Sequence, residues 1–457
     1  MAATPVILIY DVGKTNKKVL LFNEDYQVVF EKSQPFEETT DEDGFPCEDL
    51  QQLTGWLKDS LQSILADTRF EVKAINFSGY GASFVYLDQD GSPLLPLYNY
   101  LKPFPDQLRQ KFYQTYGGES MMAKQTASPV LGSLNSGLQL YRIKQERPDI
   151  FEKIKYALHL PQYLSFVIGG GTHTDITSVG CHTHLWHFQH QQYHAWVKKE
   201  GLLSKFPPLQ DCTVPGAEME NHIKVGIGLH DSSAALIPYL ASFSEPFILL
   251  STGTWCISLN PFNHSLLTDY ELQQDCLCYL SYQGNPVKAS RLFAGYEHEE
   301  QTKRLAEHFE KETDYYKTVK PVSAWITNKV PVSGKMQDIS GDAMKGKSAF
   351  GKRDLASFQN YEEAYHQLIA DIMEQQVIST NIVLKGTAVK RIFVDGGFSQ
   401  NPIYMQLLSA SFPDIEVFAA AVPQSSALGA ALALHQQWNN KGLPSEIIGL
   451  KLYSTMQ

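Results

Sequence analysis

A chain of 457 residues, 43% hydrophobic and 19% charged, is long enough to bury two or three cores without disulfide staples. A formal net charge of −11 argues against nucleic-acid or anionic-membrane partners, which need a basic field, although backbone N–H groups can hold a phosphate inside an acidic protein. The six cysteines, Cys47, Cys181, Cys212, Cys256, Cys276 and Cys278, are scattered and lack zinc spacing, so they are expected to be reduced thiols of a cytoplasmic protein.

Val6–Tyr10 is an apolar run of strand length, too short for a signal peptide. No segment approaches the roughly 18 apolar residues of a membrane span. Asp11-Val12-Gly13-Lys14-Thr15-Asn16-Lys17-Lys18 then makes a polar turn into Val19–Phe22, predicting a hairpin. A carboxylate at a strand end, facing a glycine turn, suits a Mg²⁺–phosphate site. Asp11 would hold the cation through water. Gly13 would supply an unusual φ and a close approach. Thr15, with Lys14 or Lys17, would donate to phosphoryl oxygens. The same residues also make an ordinary hairpin turn.

Val72–Phe77 predicts a strand ending at Ser78-Gly79-Tyr80-Gly81, Phe84–Leu87 a second, and Ser136–Glu146 a helix stopping before Pro148. His182, His184, His187 and His190 lie close together without carboxylate or cysteine partners at ligand spacing, and a solvated surface is expected. In Val225–Ala235 a lone acid ends a glycine-containing strand and is followed by small residues. Asp231 there either caps a helix or accepts a proton from a hydroxyl that attacks a phosphorus.

Pro246–Leu250, Ser251-Thr252-Gly253-Thr254-Trp255 and Cys256–Leu259 repeat the first hairpin's pattern. A recurrence about 240 residues later suggests two related halves. The boundary is expected within 239–245, giving domains 1–242 and 243–457. Ser251–Thr254 is the matching candidate for the β- and γ-phosphates. The polar stretch 317–353 is expected to be a surface excursion and Tyr361–Leu384 a long helix. Arg391–Val394 predicts a strand before Asp395-Gly396-Gly397-Phe398-Ser399-Gln400-Asn401, where two glycines opening a helix would let a nucleotide lie on bare backbone. Ala427–Leu434 predicts a closely packed helix of small residues. No GxxxxGK[ST] loop occurs. Alternating strand and helix signals indicate an α/β fold.

Together these segments resemble the FGGY family of carbohydrate kinases, in family order and over nearly the whole chain. Asp11–Thr15 resembles the first phosphate loop, His230–Ala234 the catalytic-aspartate segment, Ser251–Trp255 the second phosphate loop, Asp395–Pro402 the adenosine motif and Ala427–Ala431 the helix after it. His159–Leu164 with Thr174–Ser178 is similar to the family's central region. The resemblance implies two ribonuclease-H-like (actin-like ATPase) domains with an interdomain cleft, using ATP and Mg²⁺ to phosphorylate a small sugar, in a monomer or homodimer. It implies Asp231 as base, Asp11 at the Mg²⁺, and Gly13, Lys14, Thr15, Lys17, Gly253 and Thr254 at the phosphates. Gly396, Gly397 and Asn401 would line the adenosine side, and Tyr80, Gly81 and Ala82 with Asp231 the sugar. Tyr80–Gly91 is closest in flavour to the rhamnulokinase branch. Where that branch has an aspartate this chain has Ser83, where it has an Arg–Asp pair this chain has Leu101-Lys102, and Gln424-Ser425-Ser426 replaces a more acidic lead. These departures leave a sugar-binding sensor as the alternative to a kinase, with an actin-like ATPase a more distant one.

Overall fold

The computed structural model describes residues 2–327, 348–422 and 424–453; most of the expected excursion 317–353 lies outside them. The chain forms two compact units. One comprises Met1–Ser242, Cys278–Pro286 and Pro423–Ile447, the other Phe243–Leu277, Val287–Val422 and Ile448–Gln457. Against the expected domains 1–242 and 243–457, two later segments thus pack with the first unit.

In the first unit, Val6 to Tyr10 are each 0% exposed, because the strand Thr4–Val12 is covered on both faces. It pairs antiparallel with Asn16–Asn23 and parallel with Phe70–Gly79. The sheet runs Ala217–Glu218, Lys224–Val225, Phe70–Gly79, Thr4–Val12, Asn16–Asn23, Val28–Pro35, and Leu229–His230 adds parallel to Phe70–Gly79. The helix Leu50–Leu65 begins where Asp49 accepts the N–H groups of Gln51 and Gln52, and it turns Leu53, Leu57, Leu61 and Ile64 onto Val6, Leu8, Val12 and Leu21. Tyr10 donates its hydroxyl to the Leu57 carbonyl at 3.0 Å.

Helices Asp231–Ser242 and Ser425–Ala433 of the same unit pack almost backbone to backbone. A Cβ at Gly429 would stand 1.8 Å from the Ala234 carbonyl oxygen. Buried Asn76 ties this layer to the sheet: its Nδ2 donates to the Ala430 carbonyl at 2.8 Å and its Oδ1 accepts the Gly228 N–H at 3.2 Å.

The second unit repeats the plan. Phe247–Thr252 pairs antiparallel with Cys256–Asn260 and parallel with Arg391–Gly396, setting Ser251 beside Asp395. Within the unit the order is Pro286–Leu292, Cys256–Asn260, Phe247–Thr252, Arg391–Gly396, Glu416–Ala421, Gly449–Tyr453. Helix Tyr361–Leu384 starts at Asn360, whose side chain accepts the Glu363 N–H.

The histidine cluster departs from expectation. His182, His184 and His187 are buried, and only His190 is exposed. His184 holds Thr126 Oγ1 at 2.8 Å and the Tyr113 hydroxyl at 3.1 Å, and burial pushes its pKa down to about 3. A neutral imidazole with two partners is a core residue, which no local pattern distinguishes from a surface one.

Candidate active site

Strand register assembles the site in the first unit. Asp11, Ser78 and Leu229 lie side by side on three neighbouring strands, so Asp11 and His230–Asp231 emerge together at the carboxyl ends of parallel strands. That edge is where open α/β sheets place their ligands.

Asp231 is the first residue of its helix. Its Oδ1 accepts the N–H and hydroxyl of Ser232, at 2.6 and 3.2 Å, rather than the N–H groups two or three residues on that a capping side chain takes. One third of the side chain stays exposed. Desolvation still pushes its pKa up to about 6, against the lowering effect of the Ser232 bonds. Asp11 also rises to about 6, from desolvation first, with repulsion by Asp231 adding to it and the Ser426 hydroxyl opposing it. The Ser426 hydroxyl donates to Asp11 Oδ2 at 3.0 Å. His230 Nε2 stands 3.3 Å from Asp231 Oδ1. Burial lowers the His230 pKa to about 3, so the imidazole is neutral at physiological pH and meets Asp231 without a positive charge.

The expected sugar residues join this group. A Cβ on Gly81 would lie 2.7 Å from both Cys181 Sγ and His230 Cδ2, so glycine there permits the contact. Tyr80 is buried, its ring 5.8 Å from Tyr100 and 5.9 Å from Lys14 Nζ. Ala82 is buried as well. Burial raises the Tyr100 and Cys181 pKa values, and the charge of Asp231 raises both further. Tyr100, Cys181 and His230 thus neighbour Asp231, and Ser426 neighbours Asp11, placements that the sequence expectations did not include. The signal for Ser426 lay in the segment Gln424–Ser426, read there only as a lead into a helix. The departures are structural here: Ser83 is buried and donates to the Tyr98 carbonyl at 2.9 Å, Lys102 pairs with Asp41 and Asp43, and Leu101 is exposed.

The first hairpin turn corrects two expectations. Gly13 lies outside the left-handed region; its need for glycine is the Asn16 carbonyl, which accepts its N–H at 3.0 Å and would stand 3.2 Å from a Cβ. Lys17 is buried, with Nζ held by Glu48 at 2.8 Å and the Lys14 carbonyl at 3.1 Å, which commits it to the protein rather than to a phosphate. Lys14 is partly exposed between Glu38 and Glu48, and Thr15 is exposed at the tip.

In the second unit, Gly253 and Thr254 are exposed at the matching tip, with Gly253 N–H donating to the Trp255 carbonyl at 2.8 Å. Gly295, unassigned from sequence, lies beneath it: a Cβ there would meet the Gly253 oxygen at 1.8 Å. Gly396 has φ 78° and ψ −154°, a region open essentially to glycine alone, and its Cβ would stand 1.8 Å from the Thr252 oxygen. Gly397 faces open space. Asn401 is a helix cap: its Oδ1 accepts the N–H groups of Ile403 and Tyr404, and its Nδ2 donates to the Tyr365 hydroxyl at 2.8 Å. Those bonds fix the orientation of the amide.

Residues 6–236 match the FGGY family of carbohydrate kinases, N-terminal domain, and residues 244–441 match Carbohydrate kinase FGGY, C-terminal domain. Among curated relatives, the chain is 24% identical over 268 residues to a rhamnulokinase of Halalkalibacterium halodurans, covering 54% of this chain and 52% of that one. It is 22% identical over 293 residues to an L-fuculokinase of Escherichia coli K12, covering 58% and 59%. These matches span about half the length of each relative. Among solved structures, a carbohydrate kinase from Novosphingobium aromaticivorans superimposes with a TM-score of 0.80 at 23% identity, covering 100% of this chain and 95% of that one. A ligand-bound xylulose kinase from Lactobacillus acidophilus gives 0.76 at 16%, covering 99% and 94%. They share the two-domain actin-like fold. With both family domains matched in order along its length, the chain belongs to the FGGY family of carbohydrate kinases.

Proposed function

We propose that the protein is an ATP-dependent kinase that transfers the γ-phosphoryl group to a hydroxyl of a ketose such as rhamnulose, fuculose or xylulose, with Asp231 as general base. The observation that carries this reading is Asp231 itself. It is an acid at the carboxyl edge of parallel strands, one third exposed, beside a second carboxylate, with its pKa raised to about 6. Such an acid is ionised at neutral pH and more basic than an ordinary aspartate, as a group taking a proton from an alcohol must be. Neutral His230 leaves that basicity undiminished, whereas an imidazolium would lower it.

Tyr80, Gly81 and Ala82 would shape the sugar pocket, with Tyr100 closing one side. Asp11 would hold Mg²⁺ through water. Its repulsion with Asp231 is relieved by a divalent cation, and among the described residues no cluster of three or more ligating side chains could hold a bare ion. When bound, the cation supplies charge neutralisation at the phosphoryl oxygens. Lys14, Thr15, Gly13, Gly253 and Thr254 would meet phosphate oxygens, and Gly396 and Gly397 would offer bare backbone to the nucleotide. Among the described residues, no helix is long and apolar enough to cross a membrane.

The test is ADP release by the full chain with MgATP across rhamnulose, fuculose, xylulose, ribulose and glycerol, for wild type and Asp231→Asn. Turnover on one ketose that falls about 10²-fold or more in the variant, with ATP binding kept, is expected for a general base. Sugar binding without turnover would support a sensor instead, the reading favoured by the internal engagement of Ser83 and Lys102.

A further inference from the structure

The strand that delivers Asp231 is short. Leu229–His230 pairs with Phe70–Gly79, and among the described residues no other strand pairs with it. Side chains of the first unit take the place of a second ladder. From the helix Leu160–Gly169, Ser165 donates its hydroxyl to the Gly226 carbonyl at 2.7 Å, and Gln162 Nε2 donates to the Gly228 carbonyl at 2.9 Å. Closest to the acid, Thr177 Oγ1 accepts the N–H of His230 at 2.9 Å.

Thr177 is itself held. Its hydroxyl donates to Asp175 Oδ1, which also accepts the N–H groups of Thr177 and Ser178 at 3.0 and 3.2 Å. A hydroxyl has one proton and two lone pairs. With the proton committed to Asp175, Thr177 has only acceptor capacity left, and the His230 N–H takes it. Asp175 and Thr177 are fully buried, so solvent does not replace either bond. His230 then meets the acid through its ring, with Nε2 at 3.3 Å from Asp231 Oδ1. The residue beside Asp231 is thus pinned through its backbone and in contact with the carboxylate through its side chain.

We propose that Thr177, braced by Asp175, is a positioning residue for phosphoryl transfer: by holding the His230 N–H it fixes the peptide from which the Asp231 carboxylate leaves the strand. The proposal rests on Asp231 acting as the base. Thr177 touches no reacting group; it sets where one stands. Misplacement of a reacting group by about 1 Å costs on the order of 10²-fold in rate, so a bond lost one residue from the base reaches kcat while leaving the binding contacts in place.

The test compares wild type, Thr177→Val, Thr177→Ser and Asp231→Asn as full chains. Valine keeps the shape and removes the hydroxyl; serine keeps the hydroxyl. The readings are kcat and KM with MgATP and whichever of rhamnulose, fuculose, xylulose or ribulose turns over, together with hydrogen exchange of the His230 amide by mass spectrometry. In Thr177→Val the amide should exchange faster and kcat should fall about tenfold or more. KM for the ketose and affinity for ATP should stay within about twofold, the split expected when only the transition state is affected. Thr177→Ser should restore both exchange and kcat. Should Thr177→Val fail to fold, Thr177→Ala decides on the same readings. An unchanged kcat in Thr177→Val beside an inactive Asp231→Asn overturns the proposal and leaves the base in place, as does a loss of kcat that Thr177→Ser does not repair. Turnover that survives in Asp231→Asn, or that wild type lacks on every ketose, removes the base and the proposal with it.

Discussion

The hydroxyl of Ser426 donates to Oδ2 of Asp11 across 3.0 Å, although the two are 415 positions apart in the chain. That bond opposes the desolvation that raises the Asp11 pKa to about 6. Ser426→Ala should therefore raise it further. A hydrogen bond to a charged group contributes about 1.5–3 kcal/mol, and about 1.4 kcal/mol corresponds to one pH unit. The acidic limb of the activity profile should move up by about one unit, with the alkaline limb unmoved; an unshifted acidic limb would remove Asp11 from the ionisations that control activity.

Asp231 should trade stability for activity. Its folded pKa, about 6, lies above the ordinary 3.8, so its contribution favours folding below pH 3.8 and is lost as pH rises through 6. At pH 7.5 the folded state carries an ionised, partly desolvated carboxylate. Asp231→Asn removes it and should raise the thermal midpoint at pH 7.5 while abolishing most turnover. At pH 5 the wild-type group is largely protonated, and the gain should shrink. Calorimetric scans at both pH values check the sign, and an equal or larger gain at pH 5 would contradict the assigned shift.

Lys14 and Lys17 should separate cleanly. Lys17 and Glu48 form a buried pair at 2.8 Å. Lys17→Met leaves Glu48 with Lys14 at 3.7 Å and should cost about 1.5–3 kcal/mol in urea unfolding, the usual contribution of a hydrogen bond to a charged group. Lys14→Met, at a partly exposed position, should cost under about 1 kcal/mol and should instead raise the KM for ATP. Equal stability losses would mean the two lysines share one role.

Gly396→Ala should damage the second unit's loop. The backbone there is nearly closed to other residues, and the added Cβ would meet the Thr252 carbonyl, whose residue also organises the turn by accepting the Phe398 N–H at 3.0 Å. Overpacking of this kind costs about 1–3 kcal/mol. Nucleotide affinity should fall about tenfold or more while sugar binding by the first unit stays. Gly397→Ala, facing open space, serves as the control and should leave stability within about 1 kcal/mol.

Local pattern carried much of this architecture. The helix expected over Tyr361–Leu384 has those bounds, Ser136–Glu146 likewise, and the strand expected at Arg391–Val394 extends only to Gly396. Each is announced by features within one or two turns of itself: an apolar period, a capping side chain, a proline beyond the end. Errors arose where a residue's environment comes from far along the chain. Lys17 has the right chemistry to meet a phosphate, yet Glu48, on a different segment, claims it. The exposed reading of His182, His184 and His187 failed for the same reason, since burial depends on what packs over them.

By itself, the sequence determined the two strand–turn–strand hairpins, the order of the family motifs and the candidacy of Asp231, because these depend on neighbouring residues and on chain order. Only the tertiary structure decided that 278–286 and 423–447 pack with the first unit, that Ser426 reaches Asp11, and that Gly295 and Gly429 are the contacts that let backbone approach backbone. The physical reason is that desolvation, charge repulsion and close packing are properties of neighbours in space, and a linear string does not contain those distances.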